Sequence, residues 1–172
     1  MKLAHKRIFL ACAILAGIAW GALRLVFLDD AVLAELVASL HSFAANFGYA
    51  HFGLSNIGSS LFRHGHLLLL VWLCALMPKL SWAAYPLLYL RAMTVTFSLS
   101  LMIQAFGWQG LFMSLVLNIP QNVLTMGMAG YTILKVSPQN RHTFAFLCIS
   151  AVLIASLYEV FVAPVLFSSI SS

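Results

Sequence analysis

Long apolar runs separated by short basic connections dominate this sequence and limit what it can fold into. They lie at about residues 8–28, 61–78, 82–106, 110–134 and 143–167. An α-helix rises about 1.5 Å per residue, so roughly 20 apolar residues cross about 30 Å of hydrocarbon. The second run is the weakest: its uninterrupted part, Leu67 to Met77, reaches spanning length only if the helix begins near Leu61. The expected fold is therefore all-α, a polytopic membrane protein with five transmembrane helices forming a single integral membrane domain over residues 1–172.

Composition agrees with a bilayer as solvent. Of 172 residues, 63% are hydrophobic and 8% charged, against about 25% charged in an ordinary soluble domain. Such a chain cannot cover a water-facing surface with polar groups, and it lacks the compositions of disordered tails, collagen-like fibres and disulfide scaffolds. Cys12, Cys74 and Cys148 sit inside apolar runs and read as small packed hydrophobes. The first run continues past any plausible cleavage site, so it reads as an uncleaved helix rather than a signal peptide.

The formal net charge of +5 reports orientation rather than nucleic-acid binding, because no basic patch is interleaved with aromatics on a polar surface. Lys2, Lys6, Arg7, Lys79, Lys135 and Arg141 fall at a chain end or in short connections, where positive charge marks the cytoplasmic side. With the amino terminus cytoplasmic, Asp29, Asp30 and Glu35 are external, and so is the carboxyl terminus. Between the first two spans lies an external segment, about residues 29–60. Within it Val32, Leu33, Leu36, Val37, Leu40, Phe43 and Phe47 recur at three- and four-residue spacing, which predicts an amphipathic helix at the outer interface. The stretch that follows, with Gly48, Tyr49, His51, Phe52 and Gly53, predicts a loop that re-enters the bilayer surface.

Polar residues inside the spans are the candidate site. Arg91 sits about 15 Å into the third span by helical rise, where an uncompensated arginine costs at least about 2.5–3.5 kcal/mol. It must snorkel to the headgroups or find a polar partner. Ser114, Asn118, Gln121, Asn122 and Thr125 follow one another along one face of the fourth span. Pro120 lies within that face, frees the carbonyl of Val116 and predicts a kink. An intramembrane polar lock of Arg91, Asn118, Pro120, Gln121 and Asn122 is expected, with Arg91 donating to the amides and to the freed carbonyl. Such a seam serves either as glue between helices or as a solute path.

Nearer the outer side, Arg24, Arg63 and Glu159 fall at similar depth and form an expected outer charged layer, in which Glu159 pairs with Arg24 or Arg63. Arg63-His64-Gly65-His66 is a weak metal signal, because the two histidines would stand about 200° apart on a helix. No metal ligand set, cofactor site or catalytic residue is assigned. Four carboxylates in all leave almost no material for acid–base chemistry, and no protease or nucleophile motif is present. Gly17 and Gly21 form a Gly-x-x-x-Gly, a candidate helix-contact face that suits either an internal contact or a homo-oligomer.

The stretch from Tyr89 to Gly130 carries a resemblance. A basic residue, Arg91, opens it; a short Gly107-Trp108-Gln109-Gly110 turn follows; and Asn118-Ile119-Pro120-Gln121-Asn122 lies inside the fourth span. In that order, and in its five-helix layout, the chain resembles the stage II sporulation protein M family. It departs at Ala92, where the family usually has Gly, and near the start of the second span, where the family often has Asn and this chain has Arg63, His64 and His66. The resemblance implies a non-enzymatic scaffold in the cell membrane of endospore-forming bacteria. Its implied partners are two peptidoglycan hydrolases, stage II sporulation proteins D and P, which it would recruit and localise as cell wall is remodelled during engulfment of the forespore. The alternative is a small permease or transporter subunit that uses the Arg91/Asn118/Asn122 seam.

Overall fold

A computed structural model describes residues 3–47, 54–77, 79–135 and 140–166. Every regular element among these residues is helical: α1 (Leu3–Arg24), α2 (Asp30–Phe47), α3 (Leu54–Leu76), α4 (Ala84–Phe106), α5 (Trp108–Leu117), α6 (Ile119–Lys135) and α7 (Arg141–Leu157). A 3₁₀ turn at Ser81–Ala83 leads into α4, and a π-helical turn, Tyr158–Val162, extends α7. Four helices are long and apolar enough to cross a membrane, and five if the bent pair α5 and α6 counts as one span. The sequence places amphipathic spacing over the α2 region, and a helix stands there. The loop expected around Gly48 to Gly53 lies outside the described residues.

α3 begins seven residues before the expected Leu61 boundary. Hydropathy ends a span at its first polar residues, but Ser60 is 2% exposed because it faces another helix. The expectation treated depth and burial as one property, and here they differ.

Helix ends follow from local chemistry. Pro86 falls in the first turn of α4, where no intrahelical N–H is needed. α4 stops at Gly107, whose φ of 60° and ψ of −133° suit only glycine, and α5 starts at the next residue. α5 and α6 meet at Asn118 with a 48° bend, just ahead of Pro120, whose missing N–H cannot continue the α5 ladder. Farther on, Pro164 lacks the N–H that would close an ordinary turn over Val160, and the backbone upstream widens into the π turn.

Packing centres on α6, which buries Gln121, Asn122, Thr125, Ala129, Gly130, Thr132 and Ile133. Leu67, Leu68 and Val71 of α3, Ala84 and Leu88 of α4, Ala129 and Ile133 of α6, and Cys148, Ala151 and Val152 of α7 form one core. A second cluster joins Met102, Met113, Leu117 and Ala163, with Leu40 and Ala44 of α2 packed on it. α1 runs alongside α4. The exposed surface is largely apolar, with Phe62, Trp108 and Phe146 at 75%, 80% and 70% exposure, a surface that is costly in water and suited to hydrocarbon. Trp82 and Trp108 flank α4 about 39 Å apart by helical rise, as interfacial aromatics do.

Candidate functional site: a polar cavity beside a broken helix

Ser60, Arg63 and His64 follow i, i+3, i+4 along α3 and therefore share a face. That face meets Glu159 in the π turn, where Tyr158, Glu159 and Val160 are all at least partly buried. Arg63 donates from Nη1 to Glu159 Oε1 at 2.8 Å. His64 Nε2 lies 2.9 Å from Oε2, so this nitrogen carries the proton and donates to the carboxylate. The Ser60 hydroxyl donates to the same oxygen. His64 is 1% exposed, whereas the Arg63 side chain is 59% exposed. The carboxylate is held by Ser60 and His64 from within and by the Arg63 cation at the rim.

Of the expected outer charged layer, Arg63 and Glu159 come together and Arg24 does not. The Arg24 guanidinium instead sits over the Phe97 ring, 5.5 Å from its centre, a cation–π contact. Ser60 and His64 were not assigned to Glu159 from sequence. Their helical spacing with Arg63 was the available signal.

The broken helix satisfies itself differently from expectation. Asn118 Nδ2 donates to Ser98 Oγ on α4 at 3.1 Å and to Ser114 Oγ at 3.3 Å. Asn122 Nδ2 donates to the Asn118 carbonyl at 2.6 Å, and Thr125 Oγ1 to the Gln121 carbonyl at 2.9 Å. The freed Val116 carbonyl accepts from the Tyr158 hydroxyl at 2.9 Å. The expected bonds from Arg91 to Asn118, Gln121, Asn122 and this carbonyl are therefore corrected. Arg91 Nε is buried without a partner among the described residues, as are Gln121 Oε1 and Asn122 Oδ1. The amide oxygens expected to accept from Arg91 are not taken by nearer donors; the bend turns α6 away from the phase of an unbroken helix, and Arg91 bonds to neither the Gln121 nor the Asn122 oxygen.

Gly17 and Gly21 lie against α4. A methyl on Gly17 would collide with the Tyr89 carbonyl oxygen and stand 2.9 Å from Ala92 Cβ; one on Gly21 would collide with the Met93 carbonyl oxygen and stand 3.0 Å from Thr96 Cβ. The glycine face is an internal contact. Among the described residues no group of three or more His, Cys, Asp or Glu side chains could hold a metal ion.

Between α2, α3, α4, the broken helix and α7 lies a cavity of about 430 Å³. Its polar lining combines Arg63 and Glu159 with Ser98, Asn118 and Gln121, and Leu40 and Phe43 of α2 form an apolar wall. The two polar groups that the sequence assigns to different depths thus share one space. Comparison with known proteins finds no matching family model, no matching curated protein and no matching solved structure.

Proposed function

We propose that the chain is a non-enzymatic membrane scaffold of five spans, with its amino terminus cytoplasmic, its carboxyl terminus external and α2 at the outer surface. In this reading it recruits and localises peptidoglycan hydrolases, the stage II sporulation proteins D and P, during engulfment of the forespore. The observation that carries the reading is the ordered stretch from Tyr89 through the Gly107–Gly110 turn to Pro120, Gln121 and Asn122. Two features support it. Glu159 is engaged by three donors, which suits a structural carboxylate better than a proton carrier. The surfaces left for single-span partners are the exposed face of α1, helix α2, and an apolar groove of about 650 Å³ between α3 and α7 lined by Phe62, Trp72, Ile149 and Leu153.

Pull-down of the tagged protein in mild detergent, with partners identified by mass spectrometry, tests this reading. Both hydrolases are expected, with cross-links in residues 29–66, α1 or α7; a pull-down without either hydrolase sinks the scaffold. The second reading, a small permease or transporter subunit, is favoured by the cavity that joins Asn118 and Gln121 to Glu159 beside a broken helix. Solute flux in vesicles that disappears with Arg91→Ala while partner binding survives decides for it.

A further inference from the structure

Several side chains that line the cavity carry hydrogen-bonding capacity the protein itself does not use. Asn118 directs its N–H₂ at Ser98 and Ser114, which leaves its Oδ1 as an acceptor. The Ser98 hydroxyl accepts from Asn118 and donates to no described residue. The Gln121 N–H₂ likewise bonds to no described residue. Unlike the buried Gln121 Oε1, this N–H₂ and Asn118 Oδ1 retain accessible surface. Ser98, Asn118 and Gln121 come from α4 and from the two sides of the break between α5 and α6, and they meet at one cavity. Both donors and an acceptor are therefore on offer.

The charge of the lining selects among ligands. Arg63 and Glu159 neutralise one another at 2.8 Å, and the remaining polar groups are hydroxyls and amides. Ser60, Arg63 and His64 already bond the two carboxylate oxygens, which leaves little acceptor capacity for a cation. An ion of either sign would bring an uncompensated charge out of water, which is costly. Water suits the polar groups but gains nothing on the opposite wall, where Leu40 and Phe43 of α2 are apolar. A ligand matched to both walls is uncharged, carries hydroxyls that each donate and accept, and has an apolar face to lie on an aromatic ring. A volume of about 430 Å³ falls in the range of small-molecule sites.

The geometry points to this cavity as a binding site for an uncharged hydroxylated ring, the chemistry of a neutral sugar. Its hydroxyls bond Ser98, Asn118 and Gln121, and its C–H face packs on Phe43. A free saccharide and the headgroup of a neutral glycolipid offer the same chemistry. The site rests on the cavity alone, and hydrolase recruitment persists or fails separately.

The test uses the full-length protein in phosphatidylcholine nanodiscs. One arm titrates methyl glucoside; the other replaces part of the lipid with glucosyl-diacylglycerol against unglycosylated diacylglycerol. Thermal unfolding and native mass spectrometry are read in both. A saturable rise in Tm with methyl glucoside assigns a free sugar, since preferential exclusion of a sugar from the protein surface does not saturate. A rise with retained glycolipid but no solute response assigns a headgroup. Protonated glucosamine and glucuronate, the charged counterparts, should bind more weakly than methyl glucoside. Gln121→Met is expected to weaken the response about fivefold, as the loss of one neutral hydrogen bond does, without lowering the unliganded Tm. Ser59 lines the cavity and bonds within its own helix, to the Asn56 carbonyl, so Ser59→Trp fills the space without removing a member of the ion pair and should abolish the response. The proposal is overturned if neither source gives a saturable response, which leaves water as the occupant. It is overturned equally if a charged counterpart binds as tightly as methyl glucoside, or if either variant binds as the unsubstituted protein does.

Discussion

The Tyr158 hydroxyl donates to the Val116 carbonyl across 2.9 Å, joining residues 42 positions apart in the chain. Val116 has that carbonyl free because Pro120 cannot donate to it. Tyr158 can reach it because it stands in the π turn that follows α7. The bend of one helix is thus held by the irregular turn of another.

Tyr158→Phe keeps the ring and removes the donor, and should cost about 1 kcal/mol, within the range for hydrogen bonds between membrane helices. Pro120→Ala restores an N–H at the break. In that background the Tyr158→Phe loss should shrink, and a double-mutant cycle of unfolding in detergent measures the difference. Equal losses in both backgrounds would disconnect Tyr158 from the proline.

Around Glu159, burial rather than formal charge should rank the donors. His64→Ala removes a fully buried donor to a carboxylate and should cost about 1.5–3 kcal/mol. Arg63→Ala removes a mostly exposed cation and should cost about 0–1 kcal/mol after solvent screening. Equilibrium unfolding of the two variants checks the order, and a larger loss for Arg63→Ala would reverse it.

Gly17→Leu and Gly21→Leu should separate α1 from α4, because the colliding atoms are α4 backbone carbonyls that cannot swing aside. Each should lower Tm sharply and expose sites in α4 to thiol labelling of introduced cysteines. Gly58 and Gly127 lie in helices with nothing within 4 Å of an added methyl. Alanine at either should be neutral or stabilising by up to about 1 kcal/mol.

Orientation is measured with reporter fusions. An enzyme that is active only outside the cytoplasm should work after Asp30 or Ser172 and be silent after Pro138. The reverse pattern would invert the assigned topology and move α2 to the cytoplasmic face.

Much of the architecture is legible in the sequence because it depends on local terms. Run length gives the long apolar helices, three- and four-residue spacing gives α2, and Pro120 gives the break between α5 and α6. Depth along a span also follows from simple counting, which is why Glu159 stands level with Arg24 and Arg63 in the sequence. Rotation about each helix axis and the choice among equally deep partners do not follow from counting. A 48° bend and a π turn each shift the phase of everything beyond them. That shift brings Tyr158 to the Val116 carbonyl. Local bonds fix the Asn118 and Asn122 N–H₂ groups, the Gln121 and Asn122 oxygens expected to accept from Arg91 bond to no described residue, and the face of α3 that carries Ser60 and His64 closes on Glu159. The amino-acid order therefore determined which segments are helical and which polar groups lie deep within them. Only the tertiary packing decided who bonds to whom, because hydrogen bonds are short and directional, and a helix turned by one residue offers a different donor.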